Sequence, residues 1–158
     1  MNESEKKAFF ERTLELARKG WGNTHPNPMV GALIVEEGKI VAEGYHFQAG
    51  SPHAEVEAFR ALGRAPKDGA TMFVSLEPCS TTGRTPPCVE GILNAGIKRV
   101  YIGAMDPNPA HAGRGIDILR DAGIHVEMAD EEFQTQATRL NFIFNHNITT
   151  GNPLIALK

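Results

Sequence analysis

The chain has 158 residues, of which 41% are hydrophobic and 22% charged, and its formal net charge is −3. That is most simply one domain with enough apolar residues to build a core. The acidic balance lacks the basic footprint of a nucleic-acid binder, no apolar run is long enough for a membrane span, and the polar start Met1-Asn2-Glu3-Ser4-Glu5 does not read as a secretory signal.

Asn2 with Glu5 three residues on predicts a capping box. The helix it opens runs from Ser4 to Lys19, with Phe10, Leu14 and Ala17 on one face, and Gly20 stops it. Trp21 to Pro28 is a loop, Pro26 and Pro28 bracketing Asn27. Met29 to Val35 reads as a buried strand, Glu36-Glu37-Gly38 as a turn, and Lys39 to Tyr45 as the returning strand. A helix is expected over His53 to Leu62 and a strand over Ala70 to Leu76. A further helix should run from Pro86 or Pro87 to about Ala95, because proline is tolerated in the first turn. Arg99 to Ala104 is a strand, and Asp106-Pro107-Asn108-Pro109 opens a loop. Ile116 to Ala122 is a short helix, His125 to Met128 a strand, and Asp130 to about His146 a single helix. Gly151-Asn152-Pro153 is a turn, and Leu154 to Leu157 looks like the start of a strand. Strands alternating with helices argue for a layered α/β domain with a mixed sheet of about five strands.

Both cysteines of the chain fall in one pattern: His53-Ala54-Glu55, then Pro78-Cys79, then Cys88. One imidazole and two thiolates make a zinc site with three protein ligands, which leaves a position open and marks a catalytic metal. His-x-Glu followed by Pro-Cys and a second cysteine is the signature of zinc-dependent base deaminases, though the gap between the cysteines is longer here. Each piece alone is weak, since two cysteines can be buried apolar residues and His-Ala-Glu an ordinary helix start. Positions 53 and 55 do not share a helix side face, so they converge on a metal only if the helix points its N-terminus at it. That end carries partial positive charge, as does the start of the Cys88 helix, and both favour thiolate. The expected centre is one zinc per chain held by His53, Cys79 and Cys88, making water nucleophilic at neutral pH, with Glu55 as proton shuttle.

Several segments go further. They are His25-Pro26-Asn27-Pro28-Met29-Val30-Gly31, Glu43-Gly44-Tyr45-His46, Leu76-Glu77-Pro78-Cys79-Ser80, Gly83-Arg84-Thr85-Pro86-Pro87-Cys88, and Asp106-Pro107-Asn108-Pro109 followed by Ala112-Gly113. From about Phe9 onward the chain resembles the deaminase domain of the bacterial bifunctional pyrimidine deaminase/reductase family of riboflavin biosynthesis. The resemblance implies a three-layer αβα, cytidine-deaminase-like fold. It implies deamination of a diaminopyrimidinone ribosylamine 5′-phosphate at ring carbon 2. Carried over by position, Asn27 and His46 would contact the substrate near the pyrimidine. Arg84 would fill the family's basic position, and Asp106 and Asn108 its ribose- and phosphate-side loop. Thr81-Thr82 stands where the family usually has a histidine, so Arg84 should bear more of the phosphate contact.

The expected organisation is a zinc-dependent deaminase domain over residues 1–150, with 151–158 the start of a further domain or a tail. The expected setting is a cytoplasmic enzyme whose partner is a small phosphorylated aminopyrimidine, with neither nucleic acid nor membrane. A homodimer or higher homo-oligomer stays open. The rival readings are a deaminase of another base, nucleoside or nucleic acid, and an inactive zinc module serving assembly; the intact Glu55 counts against the latter.

Overall fold

In the computed structural model the described residues are 1–82, 86–109 and 111–154. Along the chain run α1 (Glu3–Arg18), β1 (Gly31–Glu36), β2 (Lys39–Tyr45), α2 (Ala54–Leu62), β3 (Thr71–Val74), α3 (Cys88–Asn94), β4 (Arg99–Ile102), α4 (Arg114–Asp121), β5 (His125–Met128), α5 (Glu131–Leu140) and α6 (Phe142–Thr150). The five strands form one sheet in the order β2-β1-β3-β4-β5. β1 is antiparallel to both β2 and β3, whereas β3, β4 and β5 are parallel, so the sheet is mixed as the alternation of elements predicts.

The strand period of two builds the layers. Ala32, Ile34, Met72, Val74, Val100 and Ile102 face one side, where they pack with Ala54 and Ala58 of α2, Val89 and Ile92 of α3, and Ile116 and Leu119 of α4. Leu33, Val35, Phe73 and Tyr101 face the other, against Phe9, Phe10, Leu14 and Leu16 of α1 and Phe133 and Ala137 of α5. Phe73 is the hub of this second layer: its ring stacks on Tyr101 at 4.6 Å and meets Phe9 and Phe10 at 5.1 and 5.2 Å. Such a fully buried aromatic contributes about 1.5–3 kcal/mol through area removed from water. The result is the three-layer αβα domain expected.

Local chemistry sets the ends. Asn2 Oδ1 accepts from Glu5 N at 2.9 Å while Asn2 N donates to Glu5 Oε2 at 2.8 Å, closing the capping box of α1. The β1–β2 turn puts Glu37 (φ 51°) and Gly38 (φ 75°) in the left-handed region, the geometry that a two-residue hairpin with natural strand twist requires.

Several expectations need correction. The single helix over 130–146 is two: α5 stops at Leu140, Asn141 adopts φ −100° and ψ 28°, and α6 begins at Phe142 and runs to Thr150. Asn141 is buried and pairs with both backbone groups of Met29: Oδ1 accepts from Met29 N at 2.7 Å and Nδ2 donates to Met29 O at 2.9 Å. This tertiary pair overrides local helix continuity. The strands expected over Ala70 to Leu76 and Arg99 to Ala104 are shorter, with Thr71–Val74 and Arg99–Ile102 in the ladder. Past Val74 the chain leaves regular pairing toward the site, though Ser75 N still donates to Gly31 O and Glu77 N to Ala104 O. The strand expected at 154–157 lies outside the described residues except for Leu154, which is not in a strand.

Candidate metal centre and substrate cavity

The site forms where the helices of one layer begin. His53 is the N-cap of α2 and Glu55 its second residue. Cys88 is the first residue of α3 and Pro87 its N-cap, so the helix expected from Pro86 or Pro87 begins just after the prolines. Cys79 comes from the segment after β3 and is stitched to α3 twice: Cys88 N donates to its Sγ at 3.2 Å and Val89 N to its carbonyl at 3.3 Å. α2 can reach the sheet because Gly44 of β2 has no side chain; a Cβ there would run into Ala54 O and Ala58 N. A substituted residue at 44 would push away the helix start that carries His53 and Glu55.

These placements bring three donors together. His53 Nδ1 lies 3.2 Å from Cys88 Sγ and 3.5 Å from Cys79 Sγ. All three ligand atoms fall within 4.8 Å of one another, a group that can hold one metal ion. Nitrogen plus two sulfurs is the donor chemistry of zinc, and three protein ligands leave a coordination position free. The local electrostatics agree. The Cys79 thiol is held below its ordinary range by the hydrogen bond shared with Cys88 and then by His53, while Cys88, keeping the shared proton, is pushed up. His53 is raised, chiefly by its hydrogen bond to Cys79. Glu55 is 3% exposed, and burial raises its carboxyl above the usual range.

A cavity of about 220 Å³ opens on this cluster, lined by His53, Glu55 and Cys79 together with Asn27, His46, Asp106 and Asn108. The structure thus gathers all but two of the candidate residues along one wall or another of a single cavity. Cys88 sits behind it, buried. Arg84, with Gly83 and Thr85, lies outside the described residues. Thr81 and Thr82 are exposed.

The far wall is made of loops. His46 is buried; its Nδ1 lies 3.0 Å from Pro52 O and its Nε2 3.2 Å from Asn27 Nδ2. A carbonyl only accepts, so Nδ1 carries the proton and Nε2 accepts from the Asn27 amide. Burial lowers the pKa of His46, consistent with this neutral ring. Its ring meets that of His53 edge-on at 5.6 Å. Asp106 Oδ1 accepts from Asn108 N at 2.8 Å, and burial raises the Asp106 carboxyl.

Sequence reading missed three cavity residues. Glu77 is 6% exposed and its carboxylate collects backbone N–H groups: Oε2 from Asp106 at 3.1 Å and Gly113 at 2.9 Å, Oε1 from Gly115 at 2.8 Å and Ile116 at 3.4 Å. The signal was a glutamate directly before Pro78-Cys79, an odd place for a charge at the end of a buried strand. His111 also lines the cavity, and among the described residues its Nδ1 is buried without a hydrogen-bond partner. Phe144 of α6 supplies an apolar edge.

Comparison with known proteins agrees with this geometry. Residues 3–104 match the family model described as the cytidine and deoxycytidylate deaminase zinc-binding region. The riboflavin biosynthesis protein RibD of Aquifex aeolicus is 50% identical over 152 residues, 96% of this chain and 42% of that relative. The chain therefore spans about two fifths of the length of such curated relatives. Among solved structures, the diaminohydroxyphosphoribosylaminopyrimidine deaminase/5-amino-6-(5-phosphoribosylamino)uracil reductase of Thermotoga maritima superposes with a TM-score of 0.88 at 40% identity, covering 96% of this chain and 43% of that one. RibD of Acinetobacter baumannii gives a TM-score of 0.87 at 42% identity, covering 95% and 41%.

Proposed function

The chain belongs to the cytidine and deoxycytidylate deaminase zinc-binding family, and from that premise we propose that it hydrolyses the 2-amino group of 2,5-diamino-6-ribosylamino-4(3H)-pyrimidinone 5′-phosphate. The products are ammonia and 5-amino-6-ribosylaminouracil 5′-phosphate, and the step belongs to riboflavin biosynthesis. One observation carries the reading: a His-Cys-Cys metal group and a buried carboxylate open onto the same cavity as the Asp106–Asn108 loop. The names of the relatives support the choice of substrate.

His53, Cys79 and Cys88 would hold zinc, which supplies the Lewis acid that makes water a nucleophile near neutral pH. Glu55 takes a proton from the attacking water as the new C–O bond forms at carbon 2. It passes that proton to the ring nitrogen, then takes the remaining proton from the new hydroxyl and delivers it to the exocyclic amine, which leaves as ammonia as the C–N bond breaks and the carbonyl forms. Burial raises the Glu55 carboxyl above the usual range, which makes its carboxylate a stronger base toward the attacking water than an ordinary exposed one. Asn27, fixed by His46, faces the pyrimidine. Asp106 and Asn108 take the ribosyl side, and Arg84 meets the phosphate, where a guanidinium offers paired charge-assisted hydrogen bonds.

The deaminase unit in this reading is residues 1–150 and the enzyme is cytoplasmic; cell fractionation tests the location, and light scattering decides whether it forms a homodimer or larger homo-oligomer. The deciding experiment incubates the zinc-loaded protein with the phosphorylated diaminopyrimidinone and, in parallel, with deoxycytidylate and cytidine, and measures ammonia. Release from the first alone is expected. Release from deoxycytidylate or cytidine alone would move the assignment to a nucleotide or nucleoside deaminase.

A further inference from the structure

We propose that Glu77 is a positioning residue that sets the ribosyl-side loop against the metal centre. The proposal rests on the substrate reading above for its kinetic arm, though not for its structural one. Glu77 stands two residues before Cys79. Its carboxylate accepts from the N–H of Asp106 at the start of the loop, of Gly113 at its end, and of Gly115 and Ile116 at the opening of α4. One buried side chain on the metal-bearing segment thus closes both ends of the loop that carries Asp106, Asn108 and His111 into the cavity.

The junction is tight from the other side as well. A Cβ on Gly115 would strike Pro78 O, the carbonyl between Glu77 and Cys79. Among its described residues the loop carries no strand pairing of its own. Asp106 and Asn108 bond to each other locally through Asp106 Oδ1, which shapes the turn but does not tie it to the sheet. The placement of the loop over the metal therefore depends on an acceptor-only group at 77. A carboxylate meets donors on both oxygens. A glutamine is nearly the same shape, but it turns one of them into an NH₂ that faces two backbone N–H groups with nothing to accept.

Glu77→Gln tests this on the zinc-loaded protein with two readouts. Amide hydrogen exchange should quicken at Asp106, Gly113, Gly115 and Ile116 and stay at the parent rate in β1, β3 and β4, with about one zinc per chain retained. KM for the phosphorylated ribosylamino substrate should rise about 10-fold or more while kcat changes less than about 3-fold, the split expected when binding geometry loosens and the reacting groups stay in place. If Glu77→Gln does not fold, Glu77→Asp carries the same test, because it keeps an acceptor-only carboxylate one methylene too short to reach both ends. Parent-like exchange at the four amides, or quickening spread through the sheet with loss of zinc, would overturn the positioning role. Should the parent itself release no ammonia from this substrate, the substrate reading fails, and the exchange pattern alone decides the role of Glu77.

Discussion

The two walls of the cavity are built on opposite principles. The metal wall uses the ends of regular elements: His53 caps α2, Glu55 follows inside it, and Cys88 opens α3. Their positions follow from layer packing, with Ala54, Ala58, Val89 and Ile92 all in the same core. The opposite wall, Phe144 of α6 apart, is loop, and single polar side chains hold it, mostly by gripping backbone. Asn141 holds Met29, next to the Asn27 turn; Glu77 holds the Asp106 loop; His46 bridges Asn27 and Pro52. The metal wall is thus redundant in packing and unforgiving in chemistry. The loop wall is the reverse: each staple acts alone, and packing does not make good the loss of one.

That contrast can be broken most sharply at the metal wall. Glu55→Gln should retain about one zinc per chain and lose ~10²–10⁴-fold in kcat, the usual worth of a positioned proton shuttle. Cys79→Ala or Cys88→Ala should instead lose zinc and activity together. Metal analysis beside an ammonia assay separates the two classes, and a Glu55→Gln enzyme at parental rate would remove Glu55 from the mechanism.

At the loop wall the effects should be smaller and fall on stability. Asn141→Ala strips both partners from the buried Met29 backbone, a loss of about 2 kcal/mol. For a domain of this size that lowers Tm by about 4–8 °C. Calorimetry checks it; an unchanged Tm would mean that Asn141 terminates α5 without anchoring anything.

The smallest effect should be that of pH on His46. Burial holds its pKa below the ordinary 6.5. The neutral ring is the folded form, so its contribution is full above about 6.5 and is lost as pH falls through the depressed folded value. Tm of the parent should therefore drop more steeply on acidification below 6.5 than that of His46→Gln, which does not titrate there. Parallel Tm–pH curves for the two proteins would refute the neutral, doubly bonded ring.

How much of each wall was legible in the sequence follows the same division. The capping box at Asn2, the alternating strands and the proline before Cys88 are short-range patterns, so α1, the sheet and the helix starts of the metal wall could be read directly. The His-x-Glu and cysteine pattern gave the metal group because its chemistry restricts residue types. Asn141 and Glu77 escaped, because each matters through backbone groups 112 residues away or 29 to 39 residues away, and no local periodicity marks such pairs. The split of α5 from α6 was missed for that reason, since nothing around Asn141 interrupts a helical run until Met29 is placed beside it.

The bridge from Pro52 through His46 to Asn27 has one more effect. Because Pro52 O takes the proton on Nδ1, the amide of Asn27 must turn its NH₂ toward Nε2. Under the proposed function, the Asn27 oxygen would then be the acceptor offered to the pyrimidine. If Asn27 meets the pyrimidine as proposed, a carbonyl some distance away would fix the polarity with which the ring is read: an edge that offers a hydrogen would suit the Asn27 oxygen better than one that offers only lone pairs. N-alkylation of the pyrimidine at that edge would remove the feature being read, while leaving the size of the ring almost unchanged.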